Sequence, residues 1–336
     1  MSQTLVYVSC AQSREIQVFS LADDSGEVGL RQSVATAGAP NPLRACAGGR
    51  VLYAGLRSDD AIAAFAIDAA NGQLALLGSV PTPGGATYVS CDRKRRLAFI
   101  ASYGGNLLAV FPLDARGAPQ SASQVETELP RAHAAQIDAT NRWLLLPSLG
   151  SDTIRAYHLG DDGRLTPGAI AAVRAGSGPR HLVFSPDNRH VHCLNELDGS
   201  IDVFDFDALA GTLACTQSIS MLPAGHVDKP WAAELRATPD GRFLYATDRT
   251  ANVIAAFAVD TASGRLSLIG HTPTETQTRG MGIDPAGRWL IAAGQLSNQL
   301  TVYAINSDSG RLSAVHRHAT GSDPICVEIV ALPGID

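Results

Sequence analysis

The strongest constraint on this chain of 336 residues is a pair of residues that recurs seven times along it. In each pair an apolar or aromatic residue is followed, twelve positions later, by Phe or Tyr. Successive leading residues are 46, 46, 46, 47, 53 and 46 positions apart. A period in the mid-forties with strand-like patterning is typical of propeller blades, one blade per repeat. The seven pairs are Tyr7/Phe19, Tyr53/Phe65, Phe99/Phe111, Leu145/Tyr157, His192/Phe204, Tyr245/Phe257 and Ile291/Tyr303.

The sixth repeat shows most clearly how one blade is built. Turn residues at Pro239–Arg242 and Thr261–Gly264 separate short β-rich segments, and Gly, Asn or Asp at such places accepts the backbone conformations of tight turns. The pattern predicts four strands in one antiparallel sheet, over 234–239, 243–247, 253–259 and 265–269. No long segment has the 3.6-residue period of a helix, so we expect very little helix.

The two ends of the chain complement each other. Leu5–Ser9 has no first strand before it, and Ile325–Val330 has no second strand after it. We therefore expect the C-terminal run to supply the innermost strand of the blade that the N-terminus begins, which removes an exposed sheet edge. The predicted fold is one all-β domain over 1–336, a seven-bladed β-propeller with four antiparallel strands per blade.

Composition excludes several classes of partner. The net charge is −6, and the one basic run, Arg93–Arg96, lies at a predicted turn, so nucleic-acid binding is not expected. No apolar stretch approaches the roughly 20 residues of a membrane span, and Met1–Thr4 lacks a signal region. These features predict a cytoplasmic protein, and a closed propeller predicts a monomer. The six cysteines lack a disulfide-scaffold spacing, so we expect buried free thiols, for instance at Cys193, Cys215 and Cys326.

Two sets of residues are expected at one mouth of the central channel. Residues of the first set lie at the start of each innermost strand, and residues of the second set lie at the end of the next strand. Because these two strands are antiparallel, both sets lie on the same face of the propeller. Twelve positions before each leading residue stand Asn41, Thr87, His133, Arg180, Ala233 and Arg279. Four positions after each stand Ala11, Arg57, Tyr103, Leu149, Glu196, Arg249 and Gln295.

Positive charge dominates these two sets. Four of the residues are arginines, and His181 follows directly on Arg180. Guanidinium groups bind phosphate and carboxylate through paired hydrogen bonds, and His133 and Glu196 are candidates for proton transfer. We therefore expect a site for a small anion. Two alternatives stay open: Arg57 could be a rim residue paired with Asp59 or Asp60, and Glu234 could form a structural ion pair.

Motifs of other enzyme classes are missing from the sequence. It contains no GxGxxG, GxxxxGK[ST], HExxH, CxxC or GxSxG motif. The pairs His190/His192 and His316/His318 put two rings on one face of a strand, but no third ligand is in register. We therefore expect neither a metal nor another cofactor.

Several runs resemble one family, the seven-bladed-propeller 6-phosphogluconolactonases of bacteria, with fungal muconate-lactonising cyclases as more distant relatives. The resemblance covers essentially the whole chain and includes the insertion after the fifth repeat. The runs are GPRHLVFSPD at 178–187, NEL at 195–197, WAA at 231–233, ATDR at 246–249 and TETQTRG at 274–280. By this resemblance the site residues of the cyclases correspond to His133, Arg180 and Glu196, with Arg249, or in its place Arg279, as the second arginine.

The resemblance implies hydrolysis of a phosphorylated sugar lactone. His133 would activate water, or Glu196 would take that role, and Arg180 or Arg249 would stabilise the oxyanion. Arg279 and Arg57 would hold the phosphate, with His181, Tyr103 and Gln295 as further substrate-binding candidates. The alternatives are a carboxymuconate cyclase or another lactonase using the same arginines, and a non-enzymatic propeller that binds a peptide or protein.

Overall fold

The computed structural model describes residues 3–46 and 48–332, and they form seven four-stranded antiparallel sheets arranged as a propeller. The predicted fold class is therefore confirmed. Within these residues the helical content is a single 3-10 turn at Arg57–Asp59. In the sixth repeat the observed strands follow the predicted ones, because turn residues delimit each of them.

Blades are numbered from the N-terminus. Blade 1 contains β1 (Gln3–Cys10), β2 (Glu15–Leu21) and β3 (Val28–Ala35), together with the last strand, β28 (Pro324–Leu332). Blade 2 contains β4 (Pro40–Ala45), β5 (Val51–Leu56), β6 (Ala61–Ile67) and β7 (Leu74–Pro81). Blade 3 contains β8 (Tyr88–Cys91), β9 (Leu97–Ser102), β10 (Leu107–Pro112) and β11 (Gln124–Glu126). Blade 4 contains β12 (Gln136–Ile137), β13 (Trp143–Ser148), β14 (Thr153–Leu159) and β15 (Leu165–Ala172).

The remaining three blades follow the same order. Blade 5 contains β16 (Pro179–Phe184), β17 (His190–Asn195), β18 (Ser200–Asp207) and β19 (Thr212–Ser220). Blade 6 contains β20 (Ala232–Ala237), β21 (Phe243–Asp248), β22 (Val253–Val259) and β23 (Leu266–Pro273). Blade 7 contains β24 (Thr278–Ile283), β25 (Trp289–Gly294), β26 (Gln299–Ile305) and β27 (Leu312–Ala319).

Blade 1 closes the ring as predicted. Strand β28 pairs antiparallel with β1 along its whole length, from Gln3 opposite Leu332 to Cys10 opposite Pro324. It also contacts β24 of blade 7 and β4 of blade 2, which are the innermost strands of the two neighbouring blades. The seven innermost strands therefore surround one central channel, and both ends of the domain are held in a single sheet.

The twelve-residue pair is explained by packing between blades. Tyr7 and Phe19 lie on adjacent strands but face opposite sides of the sheet, because Tyr7 is opposite Val18 and Phe19 is opposite Val6. Tyr7 packs in one cluster with Phe65 of blade 2, whereas Phe19 packs with Ile291 of blade 7. Each interface thus receives the leading residue of one blade and the Phe or Tyr of the next. The same arrangement pairs Tyr53 with Phe111, Phe99 with Tyr157, Leu145 with Phe204 and Tyr245 with Tyr303.

Polar tips of the leading residues bind the next blade. The Tyr7 hydroxyl donates to the carbonyl of Gly72 at 2.9 Å, in the turn between the third and fourth strands of blade 2. Gly72 has φ +72°, and a Cβ there would lie 1.4 Å from Leu5 Cδ1, so only glycine fits. His192 takes the position of these tyrosines and contacts the Gly264 carbonyl at 2.7 Å through Nε2. His192 is therefore a packing residue of the blade 5–6 interface.

The other histidines of the two strand pairs also have protein partners. Nδ1 of His190 lies 3.1 Å from a carboxylate oxygen of Asp205. His316 contacts the Ser25 carbonyl at 3.1 Å, and His318 packs edge-on against Phe19 with ring centroids 5.2 Å apart.

The expectation of free thiols is wrong for two cysteines. Cys46 and Cys91 form a disulfide that joins blades 2 and 3, next to the ends of their innermost strands. The pairing was missed because the 45-residue separation matches the blade period and does not stand out as a disulfide spacing. Cys193, Cys215 and Cys326 are free, as expected, but only Cys193 of these three is fully buried. Within the described ranges, no helix has the length and apolar character needed to cross a membrane.

Candidate active site

The two predicted sets of residues lie at one end of the blades. Each member of the second set directly follows the end of its strand, as Glu196 follows β17 and Arg249 follows β21. The amide of Glu196 donates to the Gly178 carbonyl at 2.7 Å, and that of Arg249 donates to the Trp231 carbonyl at 3.1 Å. In each blade these hydrogen bonds join the end of the second strand to the start of the innermost strand. In blade 1 the equivalent bond, from Ala11 to Asp323, shows that Ile325 is the seventh member of the first set.

Glu196 is the centre of the cluster. Its Oε2 accepts a hydrogen bond from Arg180 Nε at 2.8 Å and lies 3.2 Å from Arg249 Nη2. The same oxygen lies 3.9 Å from His133 Nε2. Arg180 of blade 5, Arg249 of blade 6 and His133 of blade 4 therefore meet at one carboxylate oxygen of Glu196. This geometry brings together the four residues for which the sequence predicts catalytic roles.

Arg180 is held by acceptors on three sides and is only 2% exposed. Besides Glu196, the acceptors are the Ala233 carbonyl and Nε2 of His181, which lies 3.1 Å from Nη1. A guanidinium carries five N–H donors, and these contacts use Nε and Nη1. Among residues 3–46 and 48–332, Nη2 has no hydrogen-bond partner. Arg180 can therefore offer one fixed nitrogen with two donors to a bound molecule.

His133 is a buried, neutral imidazole. Its ring meets Tyr103 and His181 edge-on, with centroid distances of 5.9 and 5.2 Å. Burial lowers the pKa of His133 well below its usual value, and the positive charge of Arg180 lowers it further. Nδ1 is buried and has no partner within the described part of the chain. An uncharged ring with a free nitrogen beside a carboxylate can accept a proton near neutral pH.

Arg249 is positioned by Trp231, which lies at the end of the insertion before blade 6. The guanidinium carbon lies 3.8 Å from the centre of the indole ring, within the range of a cation–π contact. Nε and Nη2 also donate to the carbonyls of Trp231 and Ala232, both at 3.1 Å. Burial, followed by repulsion from Arg180, lowers the pKa of Arg249. An anion bound beside Arg249 and Arg180 would offset this repulsion.

Arg279 also contributes charge to the cavity but has no ion-pair partner among the residues that the structure describes. It is partly exposed. Burial lowers its pKa to about 10, with further contributions from the nearby positive charges of Arg180 and Arg57. A guanidinium without a carboxylate partner, surrounded by other cations, favours the binding of an anion.

The remaining predicted residues lie farther out. Arg57 is exposed on the 3-10 turn, and no ion pair with Asp59 or Asp60 is found in the described ranges. Tyr103 is partly buried and contacts His133, as noted above, while the guanidinium of Arg131 lies 5.7 Å from the centre of its ring. Gln295 is partly exposed and is tied to Gln277 through its backbone amide, at 3.2 Å.

A second layer of side chains lies deeper in the channel. Nδ1 of His181 lies 2.8 Å from Oε1 of Glu234, and Oε2 of Glu234 lies 3.6 Å from Arg236 Nη2. Glu234 thus forms the structural ion pair that was left open above, but its partners are His181 and Arg236 and not one of the arginines at the channel mouth. Both ring nitrogens of His181 have protein partners. Alternation along β20 puts Glu234 and Arg236 on one face, which is the one sequence signal that could have linked them.

The channel contains a small cavity of about 40 Å³ beside these residues. Residues of the first set on its wall are Asn41, Thr87, Arg180, Arg279 and Ile325. The described ranges contain no group of three or more His, Cys, Asp or Glu side chains arranged to hold a metal ion. With guanidiniums, one neutral imidazole and one carboxylate, the arrangement can bind an anion, stabilise a developing oxyanion and transfer a proton.

Comparison with known proteins identifies similar chains. A family model described as "Lactonase, 7-bladed beta-propeller" matches residues 5–329. A 6-phosphogluconolactonase of Pectobacterium carotovorum is 40% identical over 332 residues, which cover 98% of this chain and 99% of that protein. One from Yersinia pestis is 40% identical over 281 residues, covering 83% and 84%. The solved structure of a periplasmic gluconolactonase from Pseudomonas aeruginosa has a TM-score of 0.92 at 28% identity, covering 99% and 100% of the two chains.

Proposed function

This chain belongs to the seven-bladed β-propeller lactonase family, and we propose that it hydrolyses 6-phospho-D-glucono-1,5-lactone to 6-phospho-D-gluconate, without a metal, at the mouth of the channel. The observation that carries the proposal is the set of arginines around one neutral histidine and one carboxylate. A lactone that carries a phosphate would supply a negative charge to pair with these arginines. In this proposal the enzyme acts in the cytoplasm, in the pentose phosphate pathway.

The proposed reaction begins with His133. The neutral imidazole removes a proton from water while the water oxygen bonds to C1 of the lactone, and the carbonyl becomes a tetrahedral oxyanion. The two donors of Arg180 Nη2 are free to bind that oxyanion, an interaction typically worth roughly 3 kcal/mol per donor. When the C1–O5 bond breaks, the imidazolium returns its proton to the leaving O5, so His133 ends the cycle neutral.

Glu196 has a supporting role in this mechanism. Its Oε2 is already engaged by Arg180 and Arg249, so this oxygen is not free to bind the attacking water. At 3.9 Å from His133 Nε2 it can stabilise the imidazolium once the proton has been transferred. We therefore favour His133 as the base over Glu196.

The phosphate would bind to Arg279, with Arg57 reaching in from the rim. Arg279 is the inner guanidinium without a carboxylate partner among the described residues, and Arg57 is near enough to lower its pKa. Tyr103 and Gln295 stand at the same mouth and are available to the sugar hydroxyls. Arg249 faces Glu196 and would complete the oxyanion site beside Arg180.

A second candidate substrate is unphosphorylated gluconolactone. It is favoured by the close structural likeness to the Pseudomonas aeruginosa protein, which is a gluconolactonase. The two substrates differ by one dianionic group, so a comparison between them tests the phosphate site directly.

The deciding experiment measures hydrolysis of freshly generated 6-phosphogluconolactone and of gluconolactone by the purified protein. We expect kcat/KM to be at least about 100-fold higher for the phosphorylated lactone, which corresponds to about 2.7 kcal/mol and so to one or two charge-assisted hydrogen bonds. Arg180→Ala should lose most of the activity, and Arg180→Lys should recover only part of it because Lys keeps the charge but not the fork of donors.

The other outcomes lead to different substrates. Equal rates on the two lactones would contradict the phosphate site and favour a broader lactonase. No acceleration over spontaneous hydrolysis of either lactone would overturn the proposal. Carboxylated muconates would then be tested, and after them binding of a peptide or protein across the propeller face.

A further inference from the structure

We infer that Glu234 and His181 are positioning residues, which orient Arg180 for catalysis through a chain of hydrogen bonds. The inference rests on the proposed function, since it concerns the same oxyanion site. It assigns His181 a role behind Arg180, in place of the direct contact with substrate that the sequence predicts.

Chemistry fixes the direction of both hydrogen bonds in the chain. A guanidinium can only donate, and an ionised carboxylate can only accept. His181 lies between them, with Nε2 3.1 Å from Arg180 Nη1 and Nδ1 2.8 Å from Glu234 Oε1. Only the neutral ring with its proton on Nδ1 satisfies both neighbours. Burial lowers the pKa of His181 to about 4, so the ring remains neutral and able to accept from Arg180 at physiological pH.

Glu234 is itself held from several directions. Its side chain lies on the innermost strand β20, and Oε1 also accepts from the Leu235 amide at 3.1 Å. Its other oxygen is paired with Arg236, whose Nε donates to the Met281 carbonyl of blade 7 at 2.9 Å. Glu234 is 5% exposed. The far end of the hydrogen-bond chain is therefore anchored to two blades.

The chain of hydrogen bonds contacts Nη1 of Arg180 and thereby orients Nη2, which has no hydrogen-bond partner among the described residues. Glu196 holds Nε, while Ala233 and His181 hold the two donors of Nη1. These three contacts define the plane of the guanidinium and hence the direction of Nη2. Loss of the His181 acceptor would leave a buried N–H unpaired and allow the guanidinium to rotate, so the oxyanion donors would be misplaced.

The test compares Glu234→Ala with Glu234→Gln. Gln keeps an oxygen that can accept from His181 Nδ1, whereas Ala removes it. For Glu234→Ala we expect kcat on 6-phosphogluconolactone to fall about tenfold or more, as for the loss of one buried hydrogen bond to a charged group, with KM changed less than about threefold because Arg279 is untouched. Glu234→Gln should recover kcat to within about threefold of the parent protein.

Asp138→Ala is the matched control for loss of stability. Asp138 is also a buried carboxylate, and it accepts from the amides of Arg142 and Trp143 at the opposite end of the blades. This variant should lower Tm without lowering kcat. A Glu234→Ala protein with parental kcat, or a Glu234→Gln protein as impaired as Glu234→Ala, would overturn the inference and leave a purely structural ion pair.

A second measurement does not depend on the substrate. The ¹⁵N NMR shifts of the His181 ring should show a proton on Nδ1 in the parent protein and a changed tautomer population in Glu234→Ala. An unchanged tautomer would contradict the inference even if the protein hydrolysed no lactone. An inactive parent protein would instead refute the proposed function, so the two failures can be told apart.

Discussion

The proposed phosphate site predicts an effect on substrate selectivity that a general loss of activity would not produce. Replacing Arg279 by Gln removes the inner guanidinium that has no ion-pair partner in the described ranges, while the contact between Arg180 and Glu196 stays intact. The rate on the phosphorylated lactone should therefore fall much more than the rate on gluconolactone. Because a half-buried cation surrounded by positive charge is removed, Tm should stay the same or rise.

The size of the effect follows from the environment of Arg279. A hydrogen bond to a charged group contributes about 1.5–3 kcal/mol. Arg279 is partly exposed, so water can replace part of the lost contact, and the lower half of that range applies. We expect kcat/KM for 6-phosphogluconolactone to fall by roughly 10- to 50-fold. The value for gluconolactone should change by less than about threefold.

The assay is initial-rate hydrolysis of both lactones by the parent protein and by two variants. Arg31→Gln is the control, because it removes one positive charge from an exposed position on the outer strand of blade 1. It should leave both rates unchanged. Equal losses on the two lactones in Arg279→Gln would refute the reasoning, since they would place Arg279 at the lactone ring. No loss on either would remove it from the site.

Two further predictions concern pH and metals. The base must be neutral, and burial together with Arg180 lowers the pKa of His133, so kcat/KM should stay constant as the pH falls below about 6.5 and should decline only in more acidic solution. Arg279→Gln removes one of the positive charges that lower this pKa and should therefore move the decline to higher pH. A decline centred at the ordinary histidine pKa in the parent protein would contradict the assignment of His133 as the base. Activity should survive dialysis against a chelator, since the guanidiniums around Glu196 repel a cation, and a loss that added Mg²⁺ or Zn²⁺ restores would show that a metal takes part.

The fold could be predicted because every blade packs against its neighbours through equivalent residues. Leading residues and their Phe or Tyr partners recur at fixed spacing because they fill opposite faces of one sheet, as Tyr7 and Phe19 do. The terminal strands could be assigned to one blade because each lacked the neighbour that the other supplies. Both predictions depend on the regular spacing of residue types along the chain, which can be observed directly in the sequence.

The same periodicity explains why the two sets at the channel mouth were predictable. An equivalent position in each repeat has an equivalent place in its blade, so Arg180 and Glu196 had to meet at one end of neighbouring strands. Periodicity does not determine how far a side chain reaches. Arg57 and Arg249 occupy equivalent positions in the second set, yet Arg57 is exposed on a turn whereas Arg249 is buried beside Glu196.

Contacts between different blades were the hardest to predict, because they depend on side-chain orientation across the channel. The disulfide of Cys46 with Cys91 joins neighbouring blades, and the contact of His181 with Glu234 joins blades 5 and 6. His192 illustrates the same difficulty: the sequence predicts an ordinary strand histidine there, but only the structure shows that it contacts the Gly264 carbonyl of the next blade in the place of a tyrosine. A residue in a propeller is therefore best interpreted by comparison with its equivalents in the other six blades, and only then by its own chemistry. By that comparison Arg180 and Glu196 stand out, because most of their equivalents are uncharged and packing does not require a charge at those positions.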